Sequence, residues 1–141
     1  MATTAFLNEV GAMIVVDTSA LMAVVLREAG WRRCGDILEA EDEVLISAGT
    51  MAEALLVAGR RNVGAEMAAL IEGLGFTVMP VTAASARRVA EDYGRWGKGV
   101  HPAALNFGDC FAYGLASDLG CPLLFVGDDF ARTDVVRAAA G

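Results

Sequence analysis

The sequence is poor in the residues that most enzyme classes need. It holds one histidine, His101, and one lysine, Lys98, while the other ten of its 11 bases are arginine. A single histidine excludes a ribonuclease that works through a histidine acid–base pair. Cys34, Cys110 and Cys121 are odd in number and form no CxxC pair. They fit a reducing cytoplasm better than a disulfide scaffold or a zinc knuckle. Motifs of the P-loop, GxSxG and HExxH types are missing. No run reaches transmembrane length without a charge, so no membrane association is expected. The opening MATTAFLNEVGA has neither the basic start nor the long apolar stretch of a signal peptide. Residues 1–12 are expected to be an extension or an alternative start, ahead of a single domain over 13–141. Basic charge is also scarce: 18 acids against 11 bases give −7, which excludes a protein that coats nucleic acid electrostatically. A nuclease relying on metal ions and a local basic rim remains compatible with that balance.

What is present is a core-forming chain of 141 residues, 55% hydrophobic and 21% charged, a length suited to one domain. Short β-branched runs alternate with longer helical patterns. Strands are expected at 13–16, 44–46, 76–81 and 122–126. Helices are expected over 19–27, 31–41, 51–61, 64–74, 83–96 and 107–119, with a short last one at 133–139. Strands separated by helices of this length imply crossover connections and a mainly parallel sheet. Their near-continuous apolar character implies cover on both faces. The expected fold is α/β, a three-layer α/β/α sandwich.

In such folds ligands bind beyond the carboxyl ends of the strands, and acids recur there. Asp17 closes MIVVDTSAL, and Glu53 follows the second strand in SAGTMAEALL. Asp109 opens a helix in NFGDCFAYGLA, and Asp128 and Asp129 follow the last strand in PLLFVGDDF. Each acid has a plain structural explanation. Asp17 can cap a helix. Thr50 with Glu53, and Asn106 with Asp109, have capping-box spacing. The Asp128–Asp129 pair suits a turn. Together they suggest more, because clustered carboxylates raise one another's pKa and a hard divalent cation relieves that conflict. An oxygen-only site holding Mg²⁺ or Mn²⁺ suits phosphodiester hydrolysis. Asp109 is expected to face a shared acidic pocket rather than to be buried.

These blocks together resemble the PIN-domain family, most closely the VapC-type toxins of bacterial toxin–antitoxin pairs, over residues 13–137. The resemblance implies a Rossmann-like fold and a Mg²⁺- or Mn²⁺-dependent endoribonuclease that cuts tRNA or rRNA. It also implies a cognate antitoxin and a homodimer. Carried over by position, Asp17, Glu53, Asp109 and Asp129 would be the acidic core. Asp128 is the alternative fourth acid, acting through a water.

Thr18 and Ser19, beside Asp17, would bind substrate or a bound water, or cap the helix. Arg95, Lys98 and His101 in RWGKGVHPA form either a basic rim for the RNA backbone or a solvated loop. Two other classes cluster acids in a similar way. A receiver-like signalling module needs a lysine after a late strand, and Lys98 follows a helix. A haloacid-dehalogenase-like phosphatase needs an aspartate at position 19, which is serine. A PIN fold retained only for binding is the remaining alternative.

Overall fold

The computed structural model describes residues 13–139; the expected extension at residues 1–12 lies outside the described residues. Four strands form one sheet: β1 (Met13–Val16), β2 (Glu43–Ser47), β3 (Thr77–Met79) and β4 (Leu123–Leu124), in the order β3-β2-β1-β4. All three pairings are parallel; Val15 sits opposite both Leu45 and Leu123. The crossovers carry helices α1 (Thr18–Leu26), α2 (Trp31–Ala40), α3 (Ala48–Arg60), α4 (Gly64–Gly73), α5 (Ala83–Trp96) and α6 (Phe107–Leu119).

Strand alternation divides the core in two. Ile14, Val16, Val44 and Ile46 face one layer, where they meet Leu21, Ile37, Ala54 and Met67 from α1 to α4. Val15, Leu45 and Leu123 face the other, packed by Val89, Trp96, Cys110 and Tyr113 from α5 and α6. The expected three-layer sandwich is therefore the observed one. Among the described residues, no helix is long and apolar enough to cross a membrane.

Two local expectations fail. The segment after residue 133 is extended rather than helical, and a 3-10 turn occupies Phe130–Arg132 instead. Leu123 N–H donates to Val136 O and Ala138 N–H to Leu123 O, so this segment pairs along β4. So short a helix would nucleate poorly, whereas pairing satisfies an otherwise bare sheet edge. The second failure is the start of α3, which begins at Ala48 with Ser47 as its cap, not at Thr50. Ser47 Oγ accepts from Gly49 N–H at 3.2 Å, and Thr50 is fully buried in the helix.

Candidate active site

The carboxyl ends of β1 and β2, the start of α6 and the loop after β4 meet at one edge of the sheet. Asp17 ends β1 and caps α1; its Oδ2 accepts from Ser19 N–H at 3.0 Å and Ser19 Oγ–H at 2.7 Å. Ser19 Oγ also accepts from Val126 N–H at 3.0 Å, which ties Asp17 to the loop after β4. Only 2% of Asp17 is exposed, and its Oδ1 is buried without a hydrogen-bond partner.

Asp109 sits in the first turn of α6. Asn106 caps the helix with reciprocal bonds: Asp109 N–H donates to Asn106 Oδ1 at 2.8 Å, and Asn106 N–H donates to Asp109 Oδ2 at 2.9 Å. The capping box expected here exists, but Asp109 is 9% exposed, so the expectation of an unburied carboxylate is corrected. The apolar side of α6 draws the first turn inward, and the cap supplies the bonds that allow it.

Glu53 reaches across from α3. Thr18 Oγ–H donates to Glu53 Oε1 at 2.7 Å. Glu53 and α6 approach closely because residue 108 is glycine; a Cβ there would overlap the Glu53 carboxylate.

Burial pushes Asp109 up to about 7; the Asn106 N–H opposes this, while Asp17, Glu53 and Asp129 add to it. Burial likewise raises Asp17 to about 6, against the Ser19 bonds and with help from Glu53. Three of the other expected acids thus bear on Asp109, and one of them also on Asp17. Asp128 and Asp129 are both exposed at the turn after β4, and the charge of Asp129 adds to the rise at Asp109.

The other expected residues divide. Thr18 and Ser19 belong to the site through the bonds above. Arg95 pairs with Asp134 at 3.6 Å and stacks on Trp96. His101 Nδ1 accepts from Ala103 N–H at 3.0 Å, and its ring meets Trp96 edge-on. Lys98 is exposed on the same loop.

Sequence reasoning missed Asp92 on α5. It is buried beside Gly114, and burial raises it to about 6 despite Arg88 at 3.8 Å. Its only signal was that i,i+4 arginine. Thr50 and Gly49 were also missed as core-facing positions.

The donors suit a hard cation: every one is an oxygen, one buried carboxylate oxygen lacks any partner, and two carboxyls are strained by burial and mutual charge. As they stand, no three His, Cys, Asp or Glu side chains among the described residues are grouped to hold an ion. Thr18 and Asn106 already bind one oxygen each of Glu53 and Asp109.

Two outcomes are expected from these bonds and charges. Both site aspartates bind protons more tightly folded than unfolded. Their contribution to metal-free stability should therefore be full below about pH 4 and be lost as pH rises through about 6 and 7. Asp92 adds to this loss. Thermal melts across that range should show it, and Mg²⁺ should reduce it by competing with the protons; a midpoint rising with pH would contradict the assignment. Thr18→Val should release Glu53 and lower, about tenfold, the RNA cleavage that the resemblance implies, at the mild end of losses from supporting bonds. Parallel kinetics and melts would separate this from unfolding.

The comparisons with known proteins agree with this architecture. A PIN domain family match spans residues 14–136. VapC ribonuclease Mb0640 of Mycobacterium bovis is 38% identical over 129 residues, covering 89% of this chain and 98% of its own. Ribonuclease VapC42 of Mycobacterium tuberculosis is 38% identical over 126 residues, 86% of this chain and 96% of its own. Among solved structures, M. tuberculosis VapC20, described as a sarcin-ricin loop cleaving toxin, superposes with a TM-score of 0.74. It is 20% identical over 90% of this chain and 99% of that one. A toxin–antitoxin complex from Klebsiella pneumoniae gives 0.65 at 19% identity, over 89% and 96%. At such identities the two structures speak for the fold alone. The chain belongs to the PIN-domain family. Within that family its sequence sets it among the VapC proteins.

Proposed function

We propose that this chain is a divalent-metal-dependent endoribonuclease and the toxin of a toxin–antitoxin pair. The observation that carries the reading is the buried Asp17–Asp109 arrangement, with an unpartnered carboxylate oxygen and both carboxyls raised by burial and neighbouring acids. Asp17, Glu53, Asp109 and Asp129 would hold Mg²⁺ or Mn²⁺, with Asp128 able to contribute through a water. When bound, such an ion lowers the pKa of a water and screens charge on the phosphate.

The chain's own groups keep the oxygens in place. Ser19 and Asn106 each leave one oxygen of their aspartate free, and Thr18 fixes the direction of Glu53. Substrate would be RNA at unpaired positions of tRNA or rRNA, cut to leave a 5′-phosphate and a 3′-hydroxyl. The description of VapC20 as a sarcin-ricin loop cleaving toxin is consistent with an rRNA target. Lys98 and His101, on the loop after α5, would form a modest basic rim for the backbone, while Arg95 at the end of α5 is engaged by Asp134. The named ribonuclease relatives support the chemistry, and the Klebsiella pneumoniae complex supports a cognate antitoxin. A homodimer and a cytoplasmic location complete the reading.

Antitoxin-free protein incubated with total RNA and Mg²⁺ should produce discrete fragments that EDTA prevents. Fragmentation that persists in EDTA, or none in either condition, would count against the reading.

A further inference from the structure

We infer that Phe107 and Phe111 form a stacking slot for one unpaired base of the RNA, next to the bond that is cut. This rests on the ribonuclease reading above and adds to it the feature that positions the substrate.

Phe107 is 65% exposed, two residues before Asp109 on α6, and Leu56 on α3 faces the same groove at 57%. Among the described residues Phe107 is the most exposed aromatic ring, well above Tyr93 at 36%, and it stands beside an acid cluster. Its position is built from below. Phe111 meets the Phe107 ring edge-on at 5.1 Å, and Phe111 itself lies over Gly49, where any Cβ would overlap the ring. Ala52 and Glu53 of α3 line the groove opposite Phe107, Gly108 and Phe111 of α6. The slot is therefore continuous with the carboxylate site.

Two properties favour a base over a protein side chain as the occupant. First, Glu53 lines both the groove and the acid site, so a nucleotide beside a phosphate held at those acids would lie against the groove. Second, cationic help near the acids is small: Arg95 is paired with Asp134, and the chain carries −7 overall. RNA must then be held largely by contacts other than charge, and stacking on an aromatic face supplies these without reading sequence. The walls offer apolar faces with no amide or guanidinium to read a base edge, so the slot selects for an unpaired base rather than for its identity.

The test uses an RNA oligonucleotide spanning a site that the wild-type protein cuts in total RNA, with an abasic nucleotide placed in turn on each side of the cut. One abasic position should lower kcat/KM of the wild type about tenfold. Phe107→Ala should lose a similar factor on intact RNA and be insensitive to that abasic position, while Phe107→Trp keeps wild-type rates. Because Phe107 is exposed, melts of the variants should match the wild type. Phe107→Ala with unchanged kinetics overturns the slot; so does a variant that changes only oligomeric state or antitoxin binding, and so does abasic sensitivity that persists in the variant. In each of those cases wild-type cleavage continues, so the nuclease reading survives. Wild-type protein that cuts no RNA removes both.

Discussion

Asp109→Asn should lose RNA cleavage by about 10³-fold while the metal-free protein becomes more stable above neutral pH. A ligand worth several kcal/mol of charge stabilisation sets the first number, at ~1.4 kcal/mol per tenfold. The fold should survive because asparagine keeps an oxygen for the Asn106 N–H, and Asn106 still caps α6. The gain in stability follows from burial. Asp109 is raised to about 7, so at pH 8 the wild type holds an ionised carboxylate that its surroundings disfavour. Replacing it should add on the order of 1–3 kcal/mol there, allowing for relaxation around the charge. Below about pH 4 the acid is protonated in both folded and unfolded chains, and the advantage should disappear. Melting curves at both pH values, beside cleavage rates, give the comparison. A variant that cleaves normally removes Asp109 from the site. A variant destabilised at pH 8 removes the account of its burial.

Gly108→Ala should separate function from folding in the other direction. In the first turn of α6 an alanine favours the helix by about 1 kcal/mol over glycine. Its Cβ would displace the Glu53 carboxylate, which is the flexible end of a side chain and can move away. Moving breaks the bond from Thr18 Oγ and takes Glu53 out of the acid cluster. Stability should therefore stay within about 1 kcal/mol of wild type, while cleavage falls about 10²-fold, as for loss of a precisely held polar group. A second change, Glu53→Asp, withdraws the carboxylate from the overlap; combined with Gly108→Ala it should be less than additive. Full activity in Gly108→Ala would show that Glu53 does not act from the position described.

Much of this was legible in the sequence because the decisive signals are local. The alternation of Ile14, Val15 and Val16 between two core layers follows directly from a strand covered on both faces. Asn106 and Asp109 form a cap whose spacing alone announces it. Acids at successive strand ends suggested a site because parallel topology brings those ends together. The misreadings have equally definite causes. Thr50 and Glu53 have the same capping spacing as Asn106 and Asp109, yet Ser47 starts the helix and Thr50 is turned into the core. A spacing rule cannot distinguish two candidate caps three residues apart when both are hydroxyl residues. The last segment pairs with β4 through long-range bonds to Leu123, which no local pattern encodes. The burial of Asp109 and Asp92 depends on how α5 and α6 pack, and polar residues in such contacts look like surface in a linear chain. Gly49, whose role is to seat Phe111 from another helix, is silent for the same reason.

These carboxylates are proposed to hold a divalent cation. Calorimetric titration of antitoxin-free protein with Mn²⁺ at about pH 6, where both carboxyls still hold protons, repeated in buffers of different ionisation enthalpy, tests this most directly. The account predicts binding accompanied by proton release, because Asp109 and Asp17 are raised to about 7 and about 6, and loss of that binding in Asp17→Asn/Asp109→Asn. Equal Mn²⁺ affinity in wild type and double variant, or no binding to either, would contradict it.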